Sequence, residues 1–484
     1  MKTRIKIASI IAGMLLVSSG VFAQHIQTQY FLNIPQKAQL NPAYRPDANV
    51  FIGVPVLSGT YFGMSNNLLN MGKLIQPMPG TDSIMTITHP DFDRDKFYRS
   101  IGNKGFISTE VHTPVIGVGF SVADVWWVDL GMSVKGMQMG ILPADLFKLV
   151  LEGNEDFIGS FVDLSGAGLR IQAYLETHVG LSRNITNKLR VGGRLKFIQG
   201  ALSASMIADK FELQVHEDYS QSLVADISMK LNGPWDITLN PEEYVEDLLF
   251  QFSEVGPSFK NFGLGLDLGA EYMLMDNLQL SASIIDLGFI SWKKDTYTYT
   301  NANKDFTFDG FDISEVITGD KEFDEIVDEF GDSLLTAFDF IESEDGYTTG
   351  LPAKLYLSAS YQPVDFLSLG ALSRTTVGMG VRESLTLSAT LFAGNVLSTS
   401  LSYTMTNRSF NNFGFGLGVR GGPVQFYAVV DQIPASWIEF VGDGGDDRVV
   451  VPQRLDYINM RFGFNLLFGR YQTKKRADTP MLVE

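Results

Sequence analysis

The sequence lacks the residues that build most enzyme and metal sites. It contains no cysteine, which excludes disulfides and thiolate chemistry. Its five histidines show no spacing typical of metal ligands. There is no Gly-x-Ser-x-Gly motif, and the Gly-x-Gly segments at Gly263 and Gly414 lie in strand-like stretches without a following helix. We therefore expect no enzymatic activity, no cofactor and no bound metal, and we interpret these glycines as points of tight curvature or close backbone approach.

Beyond its N-terminus the chain also lacks any run of about 18 apolar residues, so no transmembrane helix is predicted. Basic residues among the first six, an apolar stretch at 7–17 and small residues up to Ala23 predict a signal peptide over residues 1–23, hence Sec export. The net charge of −18 argues against nucleic acid as a partner. Yet 45% of the residues are hydrophobic and 35 are phenylalanine, which is a large share for an exported acidic protein.

Alternation of apolar and polar residues resolves this contrast. In 457–469, Ile458, Phe462 and Phe464 fall on one face of a strand, and Asn459 and Arg461 fall on the other. A closed antiparallel sheet with such strands turns its apolar face to lipid while every backbone group stays paired. About fourteen segments, within a range of 12–16, show the pattern. They lie near residues 50–61, 107–120, 125–138, 167–181, 188–200, 260–274, 278–289, 352–361, 366–376, 383–391, 395–405, 411–420, 423–431 and 455–469.

The lengths of the connections support the same all-β fold, a transmembrane β-barrel of the cell outer membrane. Short turns follow even-numbered strands, and the five long connections follow odd-numbered ones. Outer-membrane barrels have short periplasmic turns and longer external loops. We expect short helices in the long loops, near 143–150, 241–250 and 314–341, because two of these segments begin with Pro and acidic residues. Trp126 and Trp127 are interpreted as anchors at the membrane interface.

The predicted division of the chain is a signal peptide at 1–23, a segment at 24–49, a barrel at 50–469 and a periplasmic tail at 470–484. We name residues 24–49 the hatch. Outer-membrane barrels commonly end on an aromatic residue, whereas here Phe468 is followed by a polar tail. The closing strand is expected to pair with the first strand, next to the point where the hatch enters.

The motif Asn41-Pro42-Ala43-Tyr44 precedes the first strand. Its Asn-Pro-Ala element resembles the N-terminal hatch of the long-chain fatty-acid transporter family, and Asn-Pro-Ala-Tyr resembles the start of the PorP/SprF-like proteins of the Bacteroidota. Those proteins are linked to gliding and type IX secretion. As a whole the mature chain resembles the DUF5723 barrels of the same phylum. The resemblance implies about fourteen strands and a hatch folded into the lumen.

Ionisable residues on the polar faces are predicted to line the lumen. They are Arg170, Glu176, His178, Arg190, Arg194, Lys196, Asp267, Glu271, Lys354 and Arg461. One interpretation is a salt-bridged interior that holds the barrel in shape. The other is a polar conduit in which Arg190, Arg194 and Lys196 attract anions. Acidic stretches at 301–350 and 443–447 are interpreted as solvated external loops, with Ca²⁺ binding as the alternative.

Three functions fit these features. The first is a gated transporter of a small hydrophobic or amphipathic solute, for which the hatch motif argues. The second is a structural or assembly barrel that anchors periplasmic or surface partners, for which the large loops and the basic residues at 474–476 argue. The third is an open porin. Expected partners are outer-membrane lipid and lipopolysaccharide, a small hydrophobic ligand and a periplasmic protein.

Overall fold

The computed structural model describes residues 27–68, 71–78, 84–123, 125–217, 220–237, 248–250, 255–301, 305–308, 340–378, 380–406, 409–433, 437–441, 448–452 and 457–469. The predicted signal peptide and the predicted tail at 470–484 lie outside these residues. So do 238–247 and 309–339, which hold most of two predicted helices.

Fourteen antiparallel strands form a closed barrel, which confirms the predicted fold class and strand number. In chain order they are β1 (Val50–Gly53, continued by Thr60–Asn66), β2 (Lys104–Val122), β3 (Trp126–Pro143), β4 (Gly168–Asn184), β5 (Leu189–Val215), β6 (Phe262–Met275), β7 (Leu278–Trp292), β8 (Ala353–Val364), β9 (Leu367–Gly378), β10 (Gly380–Ala393), β11 (Leu397–Thr406), β12 (Ser409–Gly421), β13 (Val424–Ile433) and β14 (Tyr457–Phe468). β1 pairs with β14 through Val50↔Phe468 and Ser65↔Tyr457, so the expected closure is confirmed.

The two faces of the wall differ in polarity as the alternation predicts. Along β10, Leu385 and Leu387 are 41% and 46% exposed on the outer surface, whereas Thr386 and Thr390 are 0% and 1% exposed on the inner one. The outside is apolar and the interior polar, the reverse of a protein that folds in water. No helix in the described ranges is long and apolar enough to cross a bilayer.

The first wall strand is broken near its middle. We name the break, residues 54–59, the wall gap. Pro55 lies in it and Pro114 faces it from β2, and proline has no N–H to donate to a ladder. Val56 has a φ of 64°, a conformation that is strained for a β-branched residue. A hydrogen bond of 2.8 Å from the Val56 N–H to the Pro114 carbonyl bridges the gap.

The long connections hold further strands and short helices. The strands are Ile75–Pro77, Ile84–Thr86, Ser160–Asp163, Gln221–Asn232, Trp235–Ile237, Leu248–Phe250, Thr296–Asn301, Asp305–Phe308, Phe340–Ser343, Tyr347–Gly350, Trp437–Val441 and Arg448–Pro452. The helices are α1 (Met71–Leu74), α2 (Arg94–Ile101) and α3 (Ala144–Glu152), with a 3₁₀ turn at Glu155–Phe157. Two further 3₁₀ turns, at Thr28–Phe31 and Pro35–Gln39, lie in the hatch.

Three predictions for the long connections were wrong where residues are described. The end of the helix predicted at 314–341 falls on the strand Phe340–Ser343, which pairs with Thr296–Asn301. The segment at 201–259 is not simply a loop, because β5 continues to Val215 and pairs with Gln221–Asn232. Apolar residues of this extension, such as Phe211 and Leu213, pack in local clusters. Phe211, Leu213 and Val215 alternate with Glu212 and Gln214, so the continuation has a strand pattern that the prediction did not include. Leu248–Phe250, predicted as a helix end, instead pairs with Trp235–Ile237. The helix predicted at 143–150 is confirmed as α3.

α2 and α3 pack together above the long-loop end of the wall. The N-terminus of α2 is capped by Asp93, whose carboxylate accepts the Lys96 N–H at 3.0 Å. Phe97 of α2 meets the Phe147 ring of α3 edge to face. Burial, and the carboxylate of Glu152 to which its hydroxyl donates, raise the pKa of Tyr98. The two helices therefore form one small cap.

The closure of the wall can be tested with a disulfide. Because the chain has no cysteine and Ser65 lies opposite Tyr457, the S65C/Y457C variant should cross-link on mild oxidation. The pair S65C/N459C is the control, since these positions are offset by two residues and should remain free. Gel mobility with and without reductant measures both. Equal cross-linking of the two pairs would contradict the register.

Candidate functional site

The described part of the hatch, residues 27–49, lies inside the barrel. Tyr30, Leu32 and Ile34 are 2%, 2% and 0% exposed. The segment runs along the barrel from the long-loop end, where Gln27 meets β10 and β13, to the short-turn end, where Asp47 meets a turn. Tyr30 contacts Ser281 and Ser358 through its hydroxyl, and burial raises its pKa to about 12, so this hydroxyl stays neutral.

The upper end of the hatch is held by a buried carboxylate. Asp431 of β13 accepts the N–H groups of Gln27 and Thr28 at 2.5 and 3.2 Å, and also contacts the Thr28 hydroxyl. The Gln27 amide is fixed in turn, because it donates to Ser384 and accepts from Thr386, each at 2.7 Å. Three donors for one carboxylate offset the cost of burying its charge.

The lower end is held by amides and an arginine. Gln36 and Asn465 exchange two hydrogen bonds, with N···O distances of 2.7 and 3.0 Å. Arg420 of β12 donates to the Asp47 carbonyl at 2.8 Å, and Asn395 donates to the Asp47 carboxylate at 2.6 Å. The hatch is thus attached to the wall at both ends by polar contacts.

The Asn-Pro-Ala-Tyr motif forms the turn in the middle of this path. The Asn41 side chain accepts the Ala43 N–H at 2.9 Å, which closes an Asx turn. Its amide also donates to the Ala270 carbonyl of β6 at 3.3 Å. The Tyr44 hydroxyl donates to Asn33 at 2.9 Å and so ties the turn back to the hatch itself.

Glycines in the wall let the hatch approach the strands closely. A Cβ on Gly192 would overlap the carbonyl of Pro42, and a Cβ on Gly416 would lie 2.9 Å from the Leu32 side chain. The close approach predicted for the glycines near 414–418 is thereby confirmed.

Three lysines and three carboxylates form one buried network beside the hatch. They are Lys135, Lys196, Lys354, Glu176, Asp267 and Asp286. Lys196 lies 2.7 Å from Asp267 and 2.5 Å from Asp286. Buried ion pairs of this kind need complete partners, since one missing member leaves an uncompensated charge. In the described ranges no cluster of acidic and histidine side chains is arranged to hold a metal, and here ammonium groups occupy the space between carboxylates.

The cations of the predicted anion ladder are also paired. Arg190 lies 3.2 Å from Glu271, and Arg194 lies 2.7 Å from Asp129. His178 contacts the same Asp129 carboxylate at 3.1 Å. This part of the lumen therefore presents little net positive charge to a passing anion.

Asp286 was missed from the sequence because of a bulge. Strict alternation from Leu280 and Ile284 assigns it to the lipid face. The β6–β7 register shifts at this point, and Asp286 takes a φ of 60°, which Asp tolerates better than most residues. Its side chain therefore turns inward. The sequence does contain one indication of this inward turn, because an acidic residue is unexpected at a position that alternation assigns to lipid. Lys135 and Asp129 lie on the inner face of β3 and were also absent from the predicted lumen residues.

Arg461 and Arg170 have different surroundings from the paired cations. Arg461 donates to Gln29 and Gln39 of the hatch at 2.7 and 2.5 Å, and contacts the His112 ring at 3.2 Å. Its guanidinium also stacks on the Tyr61 ring, with 5.1 Å to the centroid. Arg170 lies apart from the network, and its Nε is buried without a hydrogen-bond partner in the structure.

A cavity of about 100 Å³ lies between the hatch, the charged network and the wall gap. Its lining combines Phe51 and Trp127 with charged residues such as Lys196, and it includes Ile116, which is 52% exposed on the outer surface. Trp127 is 2% exposed and faces inward, so its interpretation as an interface anchor was wrong. Alternation allows only one of two consecutive tryptophans to face outward, and that one is Trp126.

Comparisons with known proteins found one family model and several distant solved structures. A family model described as "Family of unknown function (DUF5723)" matches residues 42–431. No curated protein sequence matches the chain.

Similar solved structures include the Pseudomonas putida toluene transporter TodX, with 9% identity and a TM-score of 0.41 over 93% of this chain and 100% of that one. The Ralstonia pickettii toluene transporter TbuX has 8% identity and a TM-score of 0.41, over 93% and 97%. A Pseudomonas aeruginosa FadL homologue has 12% identity and a TM-score of 0.39, over 94% and 96%. Similarities this distant assign no solute to the present chain.

Removing one member of the charged network should destabilise the barrel. In the D286N variant three lysines face two carboxylates, and we expect a loss of about 3–5 kcal/mol in the free energy of unfolding. The D286N/K354Q double variant should lose less than the sum of the single losses, because it removes a matched pair. Urea unfolding in lipid vesicles measures all of them. Additive losses would contradict a shared network.

Displacing the hatch should require only one added side chain. In G192V the new side chain overlaps Pro42, so the hatch should leave its position and expose Lys37, which is 5% exposed in the structure, to trypsin. G193V is the matched control, because a Cβ there meets only ordinary contacts of 3.4 and 3.5 Å. Mass spectrometry of early fragments reports the cleavage. Equal protection of Lys37 in both variants would refute the close packing.

Proposed function

This chain belongs to the DUF5723 family, and from that premise we propose that it is an outer-membrane transporter for a small hydrophobic or amphipathic solute. In this proposal the solute occupies the cavity beside the hatch and exchanges with the membrane sideways, through the wall gap. The cavity that reaches this gap is the observation that carries the proposal.

The membrane location is supported by the two faces of the wall. A closed ladder leaves no unpaired edge, and an apolar outer surface over fourteen strands is stable in hydrocarbon and not in water. In this orientation the short turns lie in the periplasm, and the hatch joins β1 on the periplasmic side. The long loops then face the outside of the cell. Three basic residues followed by an apolar stretch at the start of the chain support export.

A straight aqueous channel is the less favoured alternative. The hatch runs along the lumen and is bound at both ends, by Asp431 above and by Arg420 below. The lysine network beside it consists of matched charges, which pack together and do not hold a hydrated path open. A solute that avoids the axis of the barrel does not need these contacts to break.

The wall gap suits an apolar solute because of what borders it. Phe51, Pro114 and Ile116 contribute apolar surface to the cavity, and Trp127 lies on its inner side. Ladder hydrogen bonds hold the rest of β1 to β2, whereas the gap contains Pro55 and faces Pro114. A solute can therefore pass there at a smaller cost in backbone pairing than elsewhere along the wall.

Filling the gap tests the proposal. Gly117 lines the cavity, and a Cβ on it would meet the Phe51 ring at 3.7 Å, so the phenylalanine of G117F fits into the space a solute would use. Uptake of the fluorescent apolar probe N-phenylnaphthylamine into proteoliposomes should fall about tenfold, as for a barrier higher by ~1.4 kcal/mol.

G136F is the control for this experiment, because a Cβ on Gly136 meets nothing within 4 Å and the residue does not line the cavity. Its uptake should match the unsubstituted protein. Uptake that is unchanged in G117F, or equally reduced in G136F, would refute the sideways route.

A further inference from the structure

Two buried guanidinium groups differ from the paired cations of the lumen. Arg374 and Arg461 are 5% and 3% exposed. Across the part of the chain that the structure describes, neither lies within 4.0 Å of a carboxylate oxygen, whereas Lys196 and Lys354 both do. Arg461 contacts neutral amides and a histidine ring, which leave its charge uncompensated.

Three buried donors in this region have no acceptor. They are the Nε–H of Arg374, the Nε–H of Arg461 and the hydroxyl of Tyr356, which is 2% exposed. Buried polar groups normally find hydrogen-bond partners, because an unpaired donor keeps the full cost of losing water. The acceptor oxygens of a ligand would satisfy these three donors.

The three donors border two cavities that share a lining residue. Tyr356 lies directly opposite Arg374 on the neighbouring strand, and both guanidinium groups act electrostatically on the Tyr356 hydroxyl. The cavity beside the hatch is lined by Arg461, Tyr356 and Lys354. A smaller adjoining cavity is lined by Arg374 and again by Lys354, so the two spaces meet at this lysine.

We propose that Arg374, Arg461 and Tyr356 bind the anionic group of an amphipathic solute, either a carboxylate or a phosphate monoester. This inference rests on the proposed function and names the chemical class of its solute. A guanidinium presents a planar set of donors that matches the oxygens of such anions. Lys354 is already bound to Asp286 at 2.8 Å, so the anion is assigned to the two arginines.

The charges around the site include one carboxylate, because Glu110 lines the smaller cavity with Arg374. Two guanidinium groups beside one carboxylate favour an anionic ligand over a cationic one. The apolar part of the solute would extend from this anion toward Phe51, Trp127 and the wall gap, which lie on the other side of the same cavity.

Matched probes with one chain length test the proposal. The full-length protein in nanodiscs of neutral lipid is titrated with octanoate, octyl phosphate and octanol, and binding is followed by isothermal calorimetry. Octanoate or octyl phosphate should bind about tenfold more tightly than octanol, as expected for hydrogen bonds to a charged group. Whichever of these two anions binds more tightly shows whether the site prefers a carboxylate or a phosphate monoester.

Variants then assign the effect to the site. R374Q should remove the preference for anions while octanol binding stays unchanged, and R374K should keep part of it. R170Q is the matched control, since Arg170 also has a buried Nε without a partner but does not line either cavity. Heat-dependent mobility on gels verifies that each variant is a folded barrel.

The outcomes separate this inference from the function on which it rests. Equal binding of octanol and both anions, or an anion preference that survives in R374Q, overturns the anion site and leaves the transport proposal standing. Binding of none of the three probes refutes the transport proposal itself.

Discussion

The closure of β1 on β14 is the constraint on which the rest of this structure depends. A sheet in hydrocarbon cannot leave N–H and C=O groups unpaired, so its first and last strands must meet. Closure turns one face of every strand inward and so encloses a lumen. This lumen is lined by polar side chains and is filled by other parts of the chain. The hatch and the lysine–carboxylate network are the two ways in which this chain fills it.

Because the lumen is filled with polar groups, each buried charge in it is stable only while its partners remain in place. Asp431 is stable in the interior because the first hatch residues donate to it, and Lys196 because two carboxylates face it. Where such partners are missing, as at Arg374, the same low-dielectric surroundings favour an external anion. Each buried charge in this barrel therefore needs an opposite charge or several hydrogen bonds, which either another residue or a ligand supplies.

Much of the wall could be predicted from the sequence, because strand alternation is a local property. Each of the fourteen predicted segments overlaps a wall strand, and the turn-length pattern matches the two ends of the barrel. The break in β1 was not predicted, although Pro55 and Pro114 indicate it in retrospect. The extension of β5 to Val215 was missed, although Phe211, Leu213 and Val215 alternate with polar residues. Only the structure shows that Phe211 and Leu213 pack in a local cluster.

For the site, the sequence by itself determined which residue types face inward. It predicted Lys196, Asp267 and Arg461 as lumen residues, because side chains on the same face of a strand recur at every second residue. Only the tertiary structure decided which of them are neighbours. The bulge at Asp286 reversed one side chain against the alternation, and the Arg461 contact with Gln29 joins residues 432 positions apart. Such contacts depend on barrel closure and on the path of the hatch, and no local pattern encodes either.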